Sequence, residues 1–284
     1  MKPTTAVIFA AGTGTRMLPI TSAIQKELMP ILNRPIIDYI VSDLVAAGIT
    51  RIIFVIRPGQ TLLKDYFLGN KDFEKALERL GKVGSLEILD KVHRQAHFEF
   101  VEQPESAGYG TAIPLQTALP LLDTNEPVLV CGGDDFVWRG DGGSEFADFI
   151  ETFRSSGGEG AIMSLELPDD QLAQYGVLSV DKRGGYNYLT DLVEKPAAGT
   201  APSNLVNISK YILSGALREY VKDVKQNSAS SEYYITDAIL AGAKDHALVI
   251  HTVSGEFLDT GNPASWLHAN QVAAKASGIE ISQL

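Results

Sequence analysis

Two glycines and two cations follow closely on an apolar segment near the start of the chain. In the stretch AVIFAAGTGTRMLPITSAIQKELMP, residues 6–30, Gly12 and Gly14 are followed by Arg16 and Lys26. Glycines let a backbone approach a ligand closely, and cations placed after such a turn indicate that the ligand is anionic. The alternative is a plain structural turn, which would not need the two cations. The stretch therefore predicts a binding loop for an anion.

Two familiar nucleotide-binding motifs are excluded by the residues around these glycines. A dinucleotide fingerprint needs a third glycine that opens a helix and an acidic residue at the end of the second strand. Met17 stands where the third glycine belongs, and the second apolar segment ends in VIRPG. The phosphate-loop pattern of two spaced glycines, then lysine and serine or threonine, does not occur either.

Carboxylates follow two further apolar segments. Asp134 and Asp135 lie in GGDDF, and Asp259 lies in FLDTGN. Adjacent residues of a strand point to opposite faces, so we expect one aspartate of the first pair to reach a ligand and its neighbour to be solvated or hydrogen-bonded. One or two carboxylates with open positions suit Mg²⁺, which also takes phosphate oxygens and waters. The alternative interpretation is that these aspartates are ordinary exposed surface residues that bind no metal.

A glutamate and a lysine precede a proline in LVEKP, residues 192–196. An exposed charge pair at a sheet edge is an equally good interpretation of this segment in isolation. As a functional pair, Glu194 would accept hydrogen bonds from sugar hydroxyls and Lys195 would meet a phosphate.

The overall charge limits the classes of partner. The chain has 24 lysines and arginines against 35 aspartates and glutamates, a formal net charge of −11. No clustered basic face typical of nucleic-acid binding is evident, so we expect no nucleic-acid partner. No apolar run reaches the roughly 18 residues that a membrane span needs, and the N-terminus lacks the features of a signal peptide. The sequence predicts a cytoplasmic protein without a membrane partner.

Apolar strands alternate with helices along the first half. The predicted strands are 5–10, 51–56, 98–103, 127–133 and 160–167, and the predicted helices are 34–48, 59–80, 109–120 and 144–155. The second half predicts strands in YGVLSV, YLTDLVEK and LVNISKYIL, and helices at 214–225, 236–244 and 263–276. We therefore predict an α/β fold: a mainly parallel, Rossmann-like central sheet flanked by helices, with a smaller mixed β layer in the second half.

The unusual residues fall directly after predicted strands. The loops 11–30, 102–110 and 132–136 each follow one. In doubly wound sheets, ligands bind beyond the carboxyl ends of the strands. The three loops are expected to meet at one edge of the sheet.

Together these segments resemble the sugar-nucleotide pyrophosphorylases, the nucleotidyltransferases that act on a nucleoside triphosphate and a sugar 1-phosphate. The resemblance covers about residues 5–276, and its most specific part is AAGTGTRMLPITSAIQKELMP: a glycine-rich loop, then arginine, proline and lysine with a following proline. It implies one nucleotidyltransferase domain over residues 1–284, with a nucleotide-binding half of about 1–135 and a sugar-binding half of about 136–284.

The resemblance also implies a role for each segment. The triphosphate is expected at Arg16 and Lys26, the sugar phosphate at Lys195, and Mg²⁺ at Asp134 and Asp259. The nucleotide-binding set is Ala11, Gly12, Thr13, Gly14, Gln103 and Gly108, and the set near the sugar is Tyr175, Gly176, Glu194, Asn207, Glu232 and Asp237.

Within the family, the chain is most similar to the bacterial enzymes that use UTP and glucose 1-phosphate, through a charged helical insertion of about residues 69–97, SNLVNISKYILS and SSEYYITDAI. FLDTGN is more similar to the thymidylyltransferase branch. Ala107 replaces a lysine of the uridylyl enzymes, and Ser209 stands where glycine is usual. Thymidylyl transfer or another sugar 1-phosphate is therefore the alternative. A homodimer or homotetramer is implied.

Two other classes of function share these features. A metal-dependent glycosyltransferase usually carries Asp-x-Asp, whereas Asp134 and Asp135 are adjacent here. A non-catalytic sugar-nucleotide-binding regulator should have lost some of the charged residues, all of which are present.

Overall fold

The first strands alternate their side chains between two hydrophobic cores. In the strand Thr5–Ala10, Ala6 and Ile8 belong to one buried cluster and Val7 to the other. The strand Arg51–Ile56 alternates in the same way. Both strands are therefore covered on both faces, as their continuous apolar sequences predicted. These features come from a computed structural model, which describes residues 1–279; the predicted domain 1–284 extends over five residues outside this range.

Strands and helices alternate through most of residues 1–279. The strands are β1 Thr5–Ala10, β2 Pro30–Ile31, β3 Arg34–Pro35, β4 Arg51–Ile56, β5 His97–Glu102, β6 Val128–Gly132, β7 Asp135–Trp138, β8 Gly160–Glu166, β9 Gly176–Arg183, β10 Tyr186–Glu194, β11 Leu205–Leu213, β12 Leu248–Thr252 and β13 Glu256–Asp259. The helices are α1 Ile36–Ala46, α2 Leu62–Leu68, α3 Lys71–Arg79, α4 Val83–His93, α5 Ala112–Ala118, α6 Glu145–Ser156, α7 Gly215–Lys222, α8 Ile235–Ala243 and α9 Pro263–Ala276.

Nine strands form one mixed sheet in the order β5-β4-β1-β6-β11-β8-β12-β10-β9. The run β5-β4-β1-β6 is parallel, as predicted, and β8 pairs with β12 in parallel. The other four neighbouring pairs are antiparallel, so the prediction of a mainly parallel sheet is wrong for the second half. The reason is that β11, which comes late in the chain, lies between β6 and β8. Hydrophobic periodicity identifies a buried strand but not its neighbours.

The strands of the second half extend this sheet and do not form a separate layer. Strands β9 and β10 form an antiparallel hairpin at the end of the sheet. Val177 of β9 also pairs with Val206 of β11, so the five strands from β11 to β9 curl round on themselves. The predicted mixed character of these strands is confirmed, whereas their separation from the main sheet is wrong.

Helices cover both faces of the sheet. Helices α1 and α6 pack on one face, and α5, α7 and α8 on the other. The predicted helix 59–80 is divided into α2 and α3 at Gly69, whose φ of 95° is favourable for glycine. The predicted helix 109–120 begins only at Ala112, because Tyr109 pairs with Glu232 ahead of it. None of the helices among residues 1–279 is both long and apolar enough to cross a membrane.

Candidate active site

A cavity of about 400 Å³ opens where β1, β5 and β6 end. Residues from distant parts of the chain line it. Eight of them are sequence-predicted site residues: Ala11, Gly12, Arg16, Lys26, Gln103, Asp134, Glu232 and Asp259. The three loops that follow apolar strands therefore meet at one edge of the sheet, as expected for this fold class.

Lys26 and Asp134 form an ion pair in this cavity. Lys26 Nζ lies 2.6 Å from Asp134 Oδ2, and the two side chains are 19% and 18% exposed. Gly12 leaves room for the lysine, since a Cβ at that position would lie 3.0 Å from Lys26 Cε. Burial lowers the pKa of Lys26, but the charges of Asp134 and Glu27 outweigh it and raise the pKa above its usual value. Lys26 is therefore a cation at neutral pH.

The short ladder between β7 and β13 brings Asp259 to the same wall. Asp259 lies opposite Asp135 in this ladder, and the Thr260 N–H donates to the Asp134 carbonyl at 3.1 Å. Gly261 lets Arg16 and Asp259 both approach its backbone, because a Cβ at Gly261 would lie 3.0 Å from Asp259 Oδ1 and 2.5 Å from Arg16 Nη2. A cation and two carboxylates thus converge from segments more than 100 residues apart.

The two adjacent aspartates have different partners. Asp134 contacts Lys26, whereas Asp135 Oδ2 lies 2.9 Å from Nζ of Lys210, a buried residue of β11. Both aspartates nevertheless line the cavity, so the expectation that only one of them reaches the ligand site is wrong. The reason is that Asp134 lies outside the strands, where side chains do not alternate between two faces. Lys210 was missed by sequence reasoning. A lysine within the apolar strand LVNISKYIL was the available indication.

The segment that follows β5 is joined to the start of α8. The Tyr233 N–H donates to the Tyr109 carbonyl at 2.9 Å, and the Ala112 N–H donates to the Tyr233 carbonyl at 3.0 Å. Gly110 has a φ of 137°, and a Cβ there would collide with the backbone N and O of Tyr233. Tyr109 and Glu232 form an isolated parallel bridge and both line the cavity.

Gln103 has a buried amide oxygen that faces no donor. Its Oε1 has no hydrogen-bond partner within residues 1–279, while its backbone N–H donates to the Ile56 carbonyl at 2.8 Å. A buried acceptor without a donor is costly, unless a ligand supplies the missing N–H or O–H. Gln103 is therefore well suited to recognise a donor on a ligand in the cavity.

The remaining predicted residues do not line the cavity. Gly176 pairs with Glu194 across β9 and β10, and the Lys195 N–H donates to the Tyr175 carbonyl at 3.0 Å. These four residues form a group, of which Tyr175, Glu194 and Lys195 are exposed. The others outside the lining are Thr13, Gly14, Gly108, Asn207 and Asp237.

This group lies near the cavity wall. Val177, next to Gly176, pairs with Val206, next to Asn207. Asn207 Nδ2 donates to the hydroxyl of Tyr211, a cavity residue, at 2.9 Å. Burial chiefly, with help from the charges of Asp135 and Glu194, raises the pKa of Tyr211.

Glu27 is a buried carboxyl group beside the lysine of the site. Its side chain is 1% exposed, and within the described residues neither carboxylate oxygen accepts a hydrogen bond. Lys26 Nζ lies 4.0 Å from Glu27 Oε1. Burial raises the pKa of Glu27 to about 8 despite the charge of Lys26. Folding therefore favours the protonated form of Glu27.

We expect Glu27→Gln to make stability less dependent on pH. Because the folded-state pKa of Glu27 is raised above its usual 4.5, its favourable contribution is present below pH 4.5 and is lost as the pH rises towards about 8. The melting temperature of Glu27→Gln relative to the wild type should therefore rise by several degrees between pH 5 and pH 8. A constant difference over this range would contradict the raised pKa. Glu102→Gln, at an exposed carboxyl, is the control.

Asp134 and Asp259 provide donors that suit Mg²⁺. Both are carboxylates at the cavity wall. Among residues 1–279, no group of three or more His, Cys, Asp or Glu side chains is arranged to hold a metal ion. Mg²⁺ commonly takes one or two protein carboxylates and completes its shell with phosphate oxygens and water. The residues present fit a cation that is bound together with a phosphorylated ligand.

Comparisons with known proteins agree with this arrangement. A family model described as Nucleotidyl transferase matches residues 5–276. The chain belongs to the nucleotidyl transferase family. The family predicted from the glycine-rich loop and its cations is thereby confirmed, and the match extends over nearly the whole chain.

One relative of this nucleotidyl transferase is the UTP–glucose-1-phosphate uridylyltransferase of Staphylococcus epidermidis. The two are 35% identical over 257 residues, which cover 90% of this chain and 87% of the relative. A solved UDP-glucose pyrophosphorylase in complex with UDP-glucose is 28% identical, with a TM-score of 0.81 and coverage of 96% of this chain and 99% of that chain. The UTP-bound UGPase of Acinetobacter baumannii is 26% identical, with a TM-score of 0.83 and coverage of 96% and 93%.

Proposed function

We propose that this nucleotidyl transferase is a UTP:glucose-1-phosphate uridylyltransferase, which converts UTP and α-D-glucose 1-phosphate to UDP-glucose and pyrophosphate. The observation that carries the proposal is the convergence of Arg16, Lys26, Asp134 and Asp259 in one cavity. The names of the relatives support the choice of substrates.

The proposed chemistry is one in-line substitution. A phosphate oxygen of the sugar 1-phosphate forms a bond to the α-phosphorus of UTP, while the bond to the β-phosphate oxygen breaks and pyrophosphate leaves. The attacking oxygen is already ionised at neutral pH, so the reaction requires no general base. The main obstacle is repulsion between two polyanions in a protein of net charge −11.

The nucleotide-binding residues have roles that follow from their positions. Arg16 and Lys26 would stabilise charge on the leaving pyrophosphate, and the backbone of the loop from Ala11 to Gly14 would contact the phosphates. The unpartnered amide oxygen of Gln103 would accept the N–H of a uracil ring. Gly108 would address the base through its backbone.

The cofactor in this proposal is Mg²⁺, with Asp134 and Asp259 as its protein ligands. When bound, the ion would offset the negative charge of the phosphates. Lys26 occupies one oxygen of Asp134 in this structure. An ammonium group has three donors, so Lys26 could contact the phosphates through the donors that Asp134 does not engage.

The sugar phosphate is assigned to the group beside the cavity wall. Lys195 would contact the phosphate and Glu194 the sugar hydroxyls, while Tyr175, Gly176, Asn207 and Glu232 would shape the sugar site. In support, Asn207 donates to the hydroxyl of Tyr211 on the cavity wall.

Lys195→Ala is expected to weaken the use of sugar 1-phosphate more than the use of UTP. The variant removes one exposed cation, so KM for glucose 1-phosphate should rise about tenfold or more, since a charge-assisted contact contributes roughly 1.5–3 kcal/mol. KM for UTP should change little. Steady-state kinetics with each substrate varied in turn measures this. The control is Lys182→Ala, at an exposed lysine of β9; equal effects of the two variants would exclude Lys195 from the sugar site.

Several further features belong to the proposal. We assign the chain one nucleotidyltransferase domain, with halves of about 1–135 and 136–284, which is supported by the sheet that runs through both. A homodimer or homotetramer and a cytoplasmic location remain predictions. The alternatives are glucose-1-phosphate thymidylyltransferase, another sugar 1-phosphate, and a non-catalytic regulator.

One assay tests the proposal against these alternatives. Pyrophosphate release is measured for each nucleoside triphosphate with each sugar 1-phosphate, with and without a chelator. We expect the highest kcat/KM with UTP and glucose 1-phosphate, and loss of activity with the chelator. Preference for dTTP or for another sugar would select that alternative, and binding of UDP-glucose without turnover would select the regulator.

A further inference from the structure

A buried lysine lies behind the acidic wall of the cavity. The side chain of Lys210 is 1% exposed, although its neighbours Ser209 and Tyr211 both line the cavity. The register between β11 and β8 shifts between Asn207 and Tyr211, and Ser209 has a φ of 55°. This irregular backbone lets residues on both sides of Lys210 face the cavity while the lysine itself is enclosed.

The ammonium group of Lys210 lies among carboxylates. Lys210 Nζ is 2.9 Å from Asp135 Oδ2 and 5.5 Å from the centroid of the Phe257 ring. Asp135 follows Asp134 in the sequence and lies opposite Asp259 in the ladder of β7 and β13. One buried positive charge is therefore placed within a set of three aspartates.

The two lysine–aspartate pairs of the site differ in burial. Lys26 and Asp134 are 19% and 18% exposed, so water and ligands reach both partners. In the second pair Lys210 is 1% exposed, whereas Asp135 is 18% exposed and lines the cavity. Opening of this pair would leave the enclosed ammonium group uncompensated, which is costly. The first pair can open when a ligand binds, whereas the second is expected to stay closed throughout the reaction.

On the basis of the proposed function, we infer that Lys210 is a positioning residue: its permanent pair with Asp135, a carboxylate that also lines the cavity, neutralises that charge and leaves Asp134 and Asp259 to serve the reaction. Lys210 does not line the cavity and acts only through Asp135. Its loss would free a third carboxylate beside the polyanionic substrates. The expected consequence is a less favourable transition state, with little change in the contacts that bind UTP and the sugar phosphate.

Three variants test this inference: Lys210→Met, Lys210→Arg, and the double variant Lys210→Met with Asp135→Asn. Lys210→Met should lower kcat by about tenfold or more with each KM within about threefold of the wild type, since the lost interaction acts in the transition state. Lys210→Arg keeps the charge and should retain most of kcat. The double variant contains no unpaired charge and should recover a large part of the lost kcat.

Thermal unfolding of Lys210→Met, the double variant and the single variant Asp135→Asn tests the ion pair without reference to activity. Asp135→Asn should lower the melting temperature by on the order of 10 °C, because it leaves the enclosed charge of Lys210 without its partner. Lys210→Met should lower it less, because the unpaired Asp135 is 18% exposed. The melting temperature of the double variant should fall by clearly less than the sum of the decreases in the two single variants. Additive losses would overturn the permanent pair, and they can be measured even if the wild type proves inactive.

The kinetic outcomes separate this inference from the proposed function. If the wild type releases no pyrophosphate from any substrate pair, the proposed function fails, and the positioning role fails with it. If the wild type is active and Lys210→Met retains normal kcat, only the inference is overturned. A double variant that folds but is no more active than Lys210→Met would also overturn it. If Lys210→Met does not fold, the inference is tested with the other two variants. A folded Lys210→Arg variant that has lost most of its kcat would overturn it, and so would a folded double variant with almost no activity.

Discussion

Asp134→Asn should lower kcat by at least about a hundredfold while the protein stays folded, as is typical when one transition-state contact of this kind is removed. Asparagine has almost the same shape as aspartate but carries no charge and binds Mg²⁺ less strongly. It also removes the charge that holds Lys26 in place at 2.6 Å. Steady-state kinetics of pyrophosphate release, combined with circular dichroism of the variant, measures this effect.

A matched control for Asp134→Asn is available at Asp170, an exposed residue outside the cavity lining. Asp170→Asn makes the same chemical change and should leave kcat within about twofold of the wild type, as is usual for surface substitutions. Near-normal turnover of Asp134→Asn would reject its assignment to the metal and the transferring phosphate.

Gly110→Ala is expected to impair both stability and nucleotide use. A methyl group at this position would collide with the backbone of Tyr233, and the φ of 137° is unfavourable for alanine. Relief of the collision must separate Tyr109 from Glu232, and both line the cavity. We expect the melting temperature to fall by roughly 5–10 °C and kcat/KM for UTP to fall by at least about tenfold.

Gly142→Ala distinguishes the collision from simple backbone strain. Gly142 has a φ of 76°, and no heavy atom lies within 4 Å of the position its Cβ would take. This control should lose stability through strain alone, with normal kcat/KM. If Gly110→Ala behaved like Gly142→Ala, the pairing of Tyr109 and Ala112 with Tyr233 would have no part in substrate binding.

The first half of the fold could be predicted because its signals are local. The apolar strands β1 and β4 are covered on both faces, and α1 lies between Pro35 and Gly48. The direction of the later strands could not be predicted, because β11 takes its place between β6 and β8 only after more than 70 residues of intervening chain.

The candidate site shows the same division between local and long-range information. Gly12, Arg16 and Lys26 stand in one continuous motif, whose residue types alone indicate an anionic ligand. The contact between Lys26 and Asp134 joins residues 108 positions apart, and that between Lys210 and Asp135 depends on the local irregularity of β11. Periodicity contains no information about such partners.

The most direct test of the account is a crystal structure of the protein with Mn²⁺ and a UTP analogue that cannot be cleaved between its α- and β-phosphates. We expect anomalous scattering from Mn²⁺ next to Asp134 and Asp259. Arg16 and Lys26 should contact the phosphates, and the uracil N3–H should donate to the amide oxygen of Gln103. A nucleotide bound outside this cavity, or a metal ion that contacts neither aspartate, would contradict it.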